Sequence, residues 1–490
     1  MHPRSTQFAG RTAAVFVAVL VTVSFAAGAA GARAGTDSAA TVGVSSCGTI
    51  DAPGFYELTA NVTNATGDGC IEITADRVFL RGNGHVLAAG NATGAAVTAT
   101  DAEQVSVTGI TATGWQTGVA FRNVSGGTIL GNTVSDAAVA GVSLRDGTGG
   151  VAVTENRVSN ASTGVSVGDA GEGNVVSGND LADLSNAGVS VAADETDVVD
   201  NDVTDALGGA VRVTGAQSAL VANNTVRGGI GGVLVSNSSG VTVRANDFGG
   251  VDGASVLVEG AANDTGDAQP SARPSWTGDF DGVPVGLFDG ALVTQPVPET
   301  QVANNTVANG SGYGIVFRET ATATIAGNDV TGARDGIRVH NATNVTVTGN
   351  VVTNSTDDGV AVANATGNVV EANRLLDNGD DGVYVVGSNN TVANNTARRN
   401  ADDGVDVQSA VGATVTGNVA SDNGDDGIYL RGVRDAVVRF NTVRENVDDG
   451  VDLRGSTNTV VRGNAVCLNR HDDLVARNGS RANSVGPNDC

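Results

Sequence analysis

Short runs of Val, Ile, Leu and Ala alternate with polar residues along the chain, as in Gly382-Val383-Tyr384-Val385 and Gly404-Val405-Asp406-Val407. A period of two marks strands with one buried face. Gly, Asn and Asp punctuate the runs and predict tight corners between them. The runs are also phased. A glycine opening an apolar alternation stands at Gly118, Gly141, Gly164, Gly188, Gly209, Gly232 and Gly253, and again from Gly314 through Gly336 and Gly359 to Gly450. A second marker, an asparagine usually followed two residues on by Val or Leu, runs from Asn132 to Asn246 and from Asn305 to Asn464. Both markers step by 21 to 24 residues, most often 22 or 23.

A unit of that length holds about three short strands and cannot bury its apolar face alone. It becomes stable when its strands pair with like strands above and below, which predicts a solenoid in which one unit closes one circuit. Glycine is expected to supply the corner backbone. Asparagine is expected to tolerate left-handed corners and to stack its amides along the axis. One segment breaks step. Residues 260–300 carry five of the eight prolines together with Trp276, Phe280 and Phe288, and read as a Pro-rich loop insertion.

Composition agrees with short strands and tight turns: 69 glycines, 16% charged residues and 3% aromatics in 490 residues. The formal charge is −26 and all 27 basic residues are arginine. Such a balance argues against nucleic acid as a partner. It resembles that of salt-adapted proteins, for which an acidic excess maintains solubility. At the N-terminus, Arg4 and Arg11 precede an apolar stretch and Ala32-Arg33-Ala34, the pattern of a secretory signal over 1–34. Residues 35–46 read as a flexible linker and 47–490 as a single domain. No later stretch is apolar enough to span a membrane, and a monomer is expected.

Cys47 and Cys70 are separated by 23 residues, as are Cys467 and Cys490. On neighbouring turns about 4.8 Å apart, each pair falls within disulfide reach. Two bridges and a signal segment together point to an oxidising, extracellular compartment. Asn-x-Ser/Thr sequons, such as those at Asn61, Asn91, Asn341 and Asn478, permit surface glycosylation.

The stretch from Cys47 to Gly90, with the Gly-Asn-x-Val and Asp-Gly-Val-x-Val repeats, resembles secreted archaeal β-helix proteins grouped with NosD-like and pectate-lyase-like families. The resemblance implies an all-β, right-handed parallel β-helix of about 17 coils with 22–23 residues per coil. It implies little about activity, because this fold hosts lyases, hydrolases, epimerases, adhesins and accessory proteins. NosD-like proteins imply a part in copper-enzyme maturation. Beyond the N-terminal segment, however, only His85, His340 and His471 are available as imidazole ligands, and Met1 is the only methionine.

The candidate chemistry lies in the C-terminal coils. Asp-Asp-Gly occurs five times, ending at Gly359, Gly382, Gly404, Gly427 and Gly450. Five equivalent copies point to architecture, an acidic corner in which Asp381, Asp403, Asp426 and Asp449 stack and salt screens their repulsion. The triplet also resembles an aspartate motif of polygalacturonases, whose carboxylates act as general acid and base. The alternative to an acidic corner is hard-cation binding: Asp377, Asp380 and Asp381, and likewise Asp422, Asp425 and Asp426, offer oxygen clusters suited to Ca²⁺. On the strand after each triplet the second residue past the glycine should face outward. That column reads Arg338, Ala361, Tyr384, Asp406, Tyr429 and Asp452, and the next outward column reads His340, Ala363, Val386, Gln408, Arg431 and Arg454. Two tyrosines on one face beside Asp, Gln and Arg suit a sugar-binding strip. His340 beside Arg338, with Asp381 and Asp406, is the catalytic candidate set for a polysaccharide lyase. The match of Gly164-Val165-Ser166-Val167-Gly168 to a nucleophile elbow lacks the following helix and is set aside. The sequence therefore reads as a secreted β-helix protein that binds a polysaccharide or cell-surface glycan without catalysis, with Ca²⁺ as the candidate cofactor. A polysaccharide lyase, C5-epimerase or hydrolase is the alternative.

Overall fold

A computed structural model describes residues 41–260, residues 300–481 and the strand Ser484–Val485. Every element among the described residues is a β-strand, and every strand pairing is parallel. The chain winds as a β-solenoid of about 17 turns. No helix among the described residues is long and apolar enough to cross a membrane.

Each circuit contributes strands to three faces. The first carries the strand that follows the corner glycine, such as Val383–Val386, Val405–Gln408 and Ile428–Arg431. The second carries strands such as Thr391–Ala393 and Thr414–Thr416. The third is a separate sheet of 16 strands running from Val86–Ala88 to Ala465–Cys467. The first two faces join where the long strands Ala95–Thr108 and Thr117–Leu130 pass through the corner without interruption.

The register is that of the repeat. Val383 lies beside Val405, Val405 beside Ile428 and Ile428 beside Val451, with separations of 22 or 23 residues. These inward aliphatics have no exposure and belong to one apolar core extending from Ile50 to Val466. The sequence 164–168 lies in this array, with Thr163–Val167 forming a core strand.

The marker asparagines form an unbroken ladder. Asn395 donates from both its backbone N and its Nδ2 to Asn418 Oδ1, at 2.9 and 3.0 Å. Asn418 repeats this to Asn441, and Asn441 to Asn464. Asn395 Nδ2 also donates to Val370 O at 2.8 Å, so the buried amide is fully engaged. The ladder continues from Asn246 to Asn305 although 59 residues separate them. Thr300–Ala303 accordingly pairs beside Thr242–Arg244, and the coil resumes in phase. The insertion itself falls on residues 261–299, outside the described residues, as does the signal segment.

Three expectations change. Within the linker assigned to 35–46, Val42–Val44 pairs with Tyr56–Leu58, so solenoid structure begins before Cys47. The ladder asparagines do not occupy left-handed backbone. The residue just before each does, including Asn394 (φ 55°), Gly417 (φ 69°), Phe440 (φ 57°) and Gly463 (φ 65°). The corner glycines are required by crowding instead: a Cβ on Gly382 would lie 2.6 Å from the carbonyl oxygen of Gly404. The Cys47–Cys70 disulfide forms, with Cα atoms 4.4 Å apart. Cys467 ends a strand and is half-buried, whereas Cys490 lies outside the described residues.

Phe440 is the bulky exception in a position that Gly417 and Gly463 fill in the flanking coils, and its side chain is 63% exposed. Left-handed backbone costs a non-glycine residue about 1–2 kcal/mol, offset in part by the greater unfolded-state freedom of glycine. Phe440→Gly is expected to stabilise the fold by about 0.5–1 kcal/mol. A rise in the denaturation midpoint checks this, and a fall contradicts it.

Candidate functional site

The solenoid register sets the outward face of the first sheet. Arg338 lies beside Ala361, Ala361 beside Tyr384, Tyr384 beside Asp406, Asp406 beside Tyr429 and Tyr429 beside Asp452. The neighbouring column aligns Gln408, Arg431 and Arg454, with His340 beside Ala363 further down. Tyr384 and Tyr429, two coils apart, are half-buried and stand about 10 Å from each other along the axis.

The acids of this column are not solvated. Asp406 and Asp452 are 5% and 0% exposed. Asp406 Oδ2 accepts from Gln408 Nε2 at 2.6 Å, and Asp452 Oδ2 accepts from Arg454 Nε at 2.6 Å. Their Oδ1 atoms are buried without a hydrogen-bond partner. Burial pushes Asp406 up to about 7 against the opposing Gln408 bond. Arg454 also stacks over the Tyr429 ring, 4.9 Å from its centroid. At the lower end Arg338 pairs with the buried Asp335 at 2.9 Å and stacks over Tyr313. His340 is held below its usual pKa by burial and by Arg338 and Arg318, so it is neutral at physiological pH, and its Nδ1 makes no hydrogen bond.

The Asp-Asp-Gly corner differs from the expected solvated acidic edge. The second aspartate of each triplet is buried: Asp358, Asp381, Asp403, Asp426 and Asp449 are 0–8% exposed. Each accepts on Oδ1 from the backbone N of the equivalent residue one coil on, as in Asp403 N to Asp381 Oδ1 at 2.9 Å and Asp426 N to Asp403 Oδ1 at 2.7 Å. Beside this file runs a second amide ladder that the sequence reading did not pick out, Asn378, Asn400, Asn423, Asn446 and Asn469. Its signal was present as an Asn two residues before each of four Asp-Asp-Gly triplets.

Stacked carboxylates in a poorly solvated corner repel strongly. Desolvation first, and neighbouring aspartates second, push Asp358 and Asp426 up to about 8, Asp403 to about 10 and Asp381 to about 11. At neutral pH part of the file therefore holds protons, and it is not a column of full charges.

The cation candidates regroup across coils. Ligand oxygens of Asp380, Asp381 and Asp402 lie within 4.8 Å of one another, and so do those of Asp402, Asp403 and Asp425, and of Asp425, Asp426 and Asp448. Asp335, Asp357 and Asp358 form a further group. Asp377 and Asp422 stand apart, each at a left-handed corner position (φ 59° and 60°). Asp377 is gripped by both Nε and Nη2 of Arg399, and Asp422 pairs with Arg398. The first aspartate of the next coil takes the place the sequence gave them. Two ionised carboxylates 4.8 Å apart repel by roughly 3–4 kcal/mol at an effective dielectric of about 20.

A groove of about 350 Å³ collects these parts: Arg338, Asp358, Asp381, Tyr384, Asp406 and Gln408 all line it. Tyr429, Arg431, Asp452 and Arg454 lie on the coils beyond. A larger groove of about 710 Å³ lies on the same sheet near the N-terminal end, lined by Thr98, Gln116, Ser143, Arg122 and Arg145 among others. Its polar and charged lining residues carry no repeat marker, so the sequence did not reveal it.

The coil geometry, the asparagine ladder and the family match agree. Residues 170–266, 291–424 and 399–488 match the family described as "Right handed beta helix region", and the chain belongs to that family. Residues 43–205 also match "Periplasmic copper-binding protein (NosD)". The donors in that span do not suit copper: His85 is its one imidazole and bonds Asn61 Oδ1, and Cys47 and Cys70 are joined to each other.

No curated protein matches the chain. Among solved structures, the Dettilon tailspike protein is 15% identical with TM-score 0.35, over 64% of this chain and 61% of the tailspike, so the chain spans less than two thirds of it. The tailspike double mutant of E. coli bacteriophage HK620, in complex with pentasaccharide, is 13% identical over 91% of this chain and 74% of that one, with TM-score 0.40. The surface adhesin PfbA of Streptococcus pneumoniae is 13% identical over 69% and 84%, with TM-score 0.39. These likenesses are of fold alone.

The buried file makes stability pH-dependent. Asp358 and Asp426 are protonated in the folded chain and ionised in the unfolded chain between about pH 4 and about pH 8. The folded state binds more protons there, so stability is greatest at the acid end and falls as pH rises through that window. In chelator, the melting temperature is expected to fall steadily from about pH 5 to about pH 8. A flat or rising profile over that range would contradict the burial of these carboxyls.

Proposed function

We propose that this protein binds a polysaccharide or cell-surface glycan without transforming it, acting at the cell surface or outside the cell. The observation that carries the reading is the pair of half-buried tyrosines, Tyr384 and Tyr429, presented two coils apart on one flat sheet face. Parallel strands hold the spacing rigid, which suits an extended chain of repeating sugars. Aromatic rings cover the apolar faces of pyranoses, while Arg338, Gln408, Arg431 and Arg454 supply donors to hydroxyls or carboxylates. Rigid rings on a rigid sheet also lose little entropy on binding.

A second reading, a polysaccharide lyase, epimerase or hydrolase, is favoured by one observation. Asp406 sits in the groove beside Tyr384 with its pKa raised to about 7, the range suited to a general acid or base. Asp381, at about 11, holds its proton at neutral pH and does not serve as a base. Five near-equivalent triplets still speak for architecture over a single reactive centre.

A glycan array separates the readings. The wild-type chain is expected to retain a defined glycan, and Tyr384→Ala/Tyr429→Ala to lose at least about tenfold in affinity, on the scale of two stacking contacts. Absence of binding by the wild type sinks the proposal. Shortened or unsaturated products that disappear in Asp406→Asn, with binding intact, would establish the enzyme instead.

A further inference from the structure

The larger groove near the N-terminal end has no part in the tyrosine strip. Its floor is the same outward column several coils earlier, with Thr98 beside Ala120 and Ala120 beside Ser143. These side chains are small, so the sheet surface is recessed there along the axis. Gln116 and Val139 stand exposed before the floor residues on their strands, and Arg122 and Arg145 stand exposed after them. The recess is therefore a trough with an arginine wall.

The two arginines are adjacent in register, one coil or about 4.8 Å apart along the axis. Neither makes an ion pair within 4.0 Å among the described residues, although the chain holds 53 acids against 27 arginines. Arg145 Nε donates to Ser143 Oγ at 3.0 Å, and Ser143 is 4% exposed. That bond holds the guanidinium back across the floor and leaves both Nη atoms without a partner among the described residues. Like charges side by side repel, and an anion shared between them relieves the repulsion. A guanidinium fork matches a carboxylate with two parallel hydrogen bonds.

The rest of the lining narrows the ligand. None of these residues is aromatic, so ring stacking plays no part, and Thr98, Thr100 and Gln116 offer hydroxyl and amide groups instead. Asp68 and Glu72 line the opposite end, where Asp68 Oδ1 accepts from Thr93 Oγ1 at 3.0 Å. An acidic end and an arginine end give a bound chain a direction.

We propose that this groove is a second binding site, for the carboxylates of a uronate-bearing polysaccharide, with Arg122 and Arg145 as the groups that read the charge. It goes beyond the tyrosine-strip reading and is separate from it. Ser143 and Arg338 are seven register steps apart in one column, roughly 34 Å. Parallel strands fix the spacing of the two arginines, so a polymer with one carboxylate on each sugar meets both without reorganising the protein.

The full chain is titrated by calorimetry with a galacturonate hexamer and with the same hexamer methyl-esterified, which removes the charge and keeps the rings. The acid form is expected to bind at least about tenfold more tightly, on the scale of one charge-assisted pair, and to weaken as NaCl is raised. Arg122→Gln/Arg145→Gln is expected to abolish that preference, and Arg122→Lys/Arg145→Lys to restore it only in part. Both positions are exposed, and an unchanged melting temperature checks that the fold survives. Tyr384→Ala/Tyr429→Ala is expected to leave binding of the acid hexamer in place, so failure of the strip and failure of this site are read separately. The proposal is overturned by equal affinity of the wild type for the two hexamers, by absence of binding, or by a folded glutamine variant that keeps the preference. Tighter binding of a sulfated hexamer than of the uronate overturns the carboxylate assignment.

Discussion

The amide of one buried asparagine per circuit holds this structure in register. Its oxygen accepts two donors from the coil before, and its nitrogen donates to a strand carbonyl and to the coil after. A buried amide left unsatisfied costs more than its satisfied bonds return, so each rung penalises any slip of one residue. A slip would also turn every inward valine outward. Because the ladder is unbroken from Asn132 to Asn464, each residue lies over its counterpart, and the tyrosine strip and the aspartate file are two results of that single condition.

The inward valines, the phase of the coils and the outward columns from Arg338 to Arg454 were legible because period two and a constant step determine both the face and the vertical neighbour of each residue. Tyr384, Asp406 and Tyr429 fall in one column as the sequence implied. What the sequence hid was depth. Asp381 and Asp406 are charged by type, which suggests solvent, yet both are buried. Alternation along a strand assigns a side but not how far the adjoining turn reaches across it. Asp377 was misplaced for a related reason: proximity in sequence to Asp380 ignored the left-handed corner that turns it toward Arg399.

Repetition also explains the electrostatics. A carboxylate at an end of the file can be given an arginine, as Asp335 is given Arg338 and Asp449 is given Arg477. A repeated one meets its own copy one coil above and below, and a partner for each would have to be repeated too. The chain satisfies one oxygen of each aspartate with a backbone N–H, and burial beside like charges favours a proton on the remainder. The overall charge of −26 adds to the field that draws cations inward.

The junction between Asn246 and Asn305 has a consequence for how such a chain lengthens. Since the upper rim of any circuit matches the lower rim of any other, a duplicated or deleted unit leaves both cut surfaces complementary. Recombination at this period would shift everything downstream as a rigid block, lengthening the rod without redesigning its interior. Reach, and the number of tyrosines and acids displayed along it, become quantities that inheritance can adjust one turn at a time.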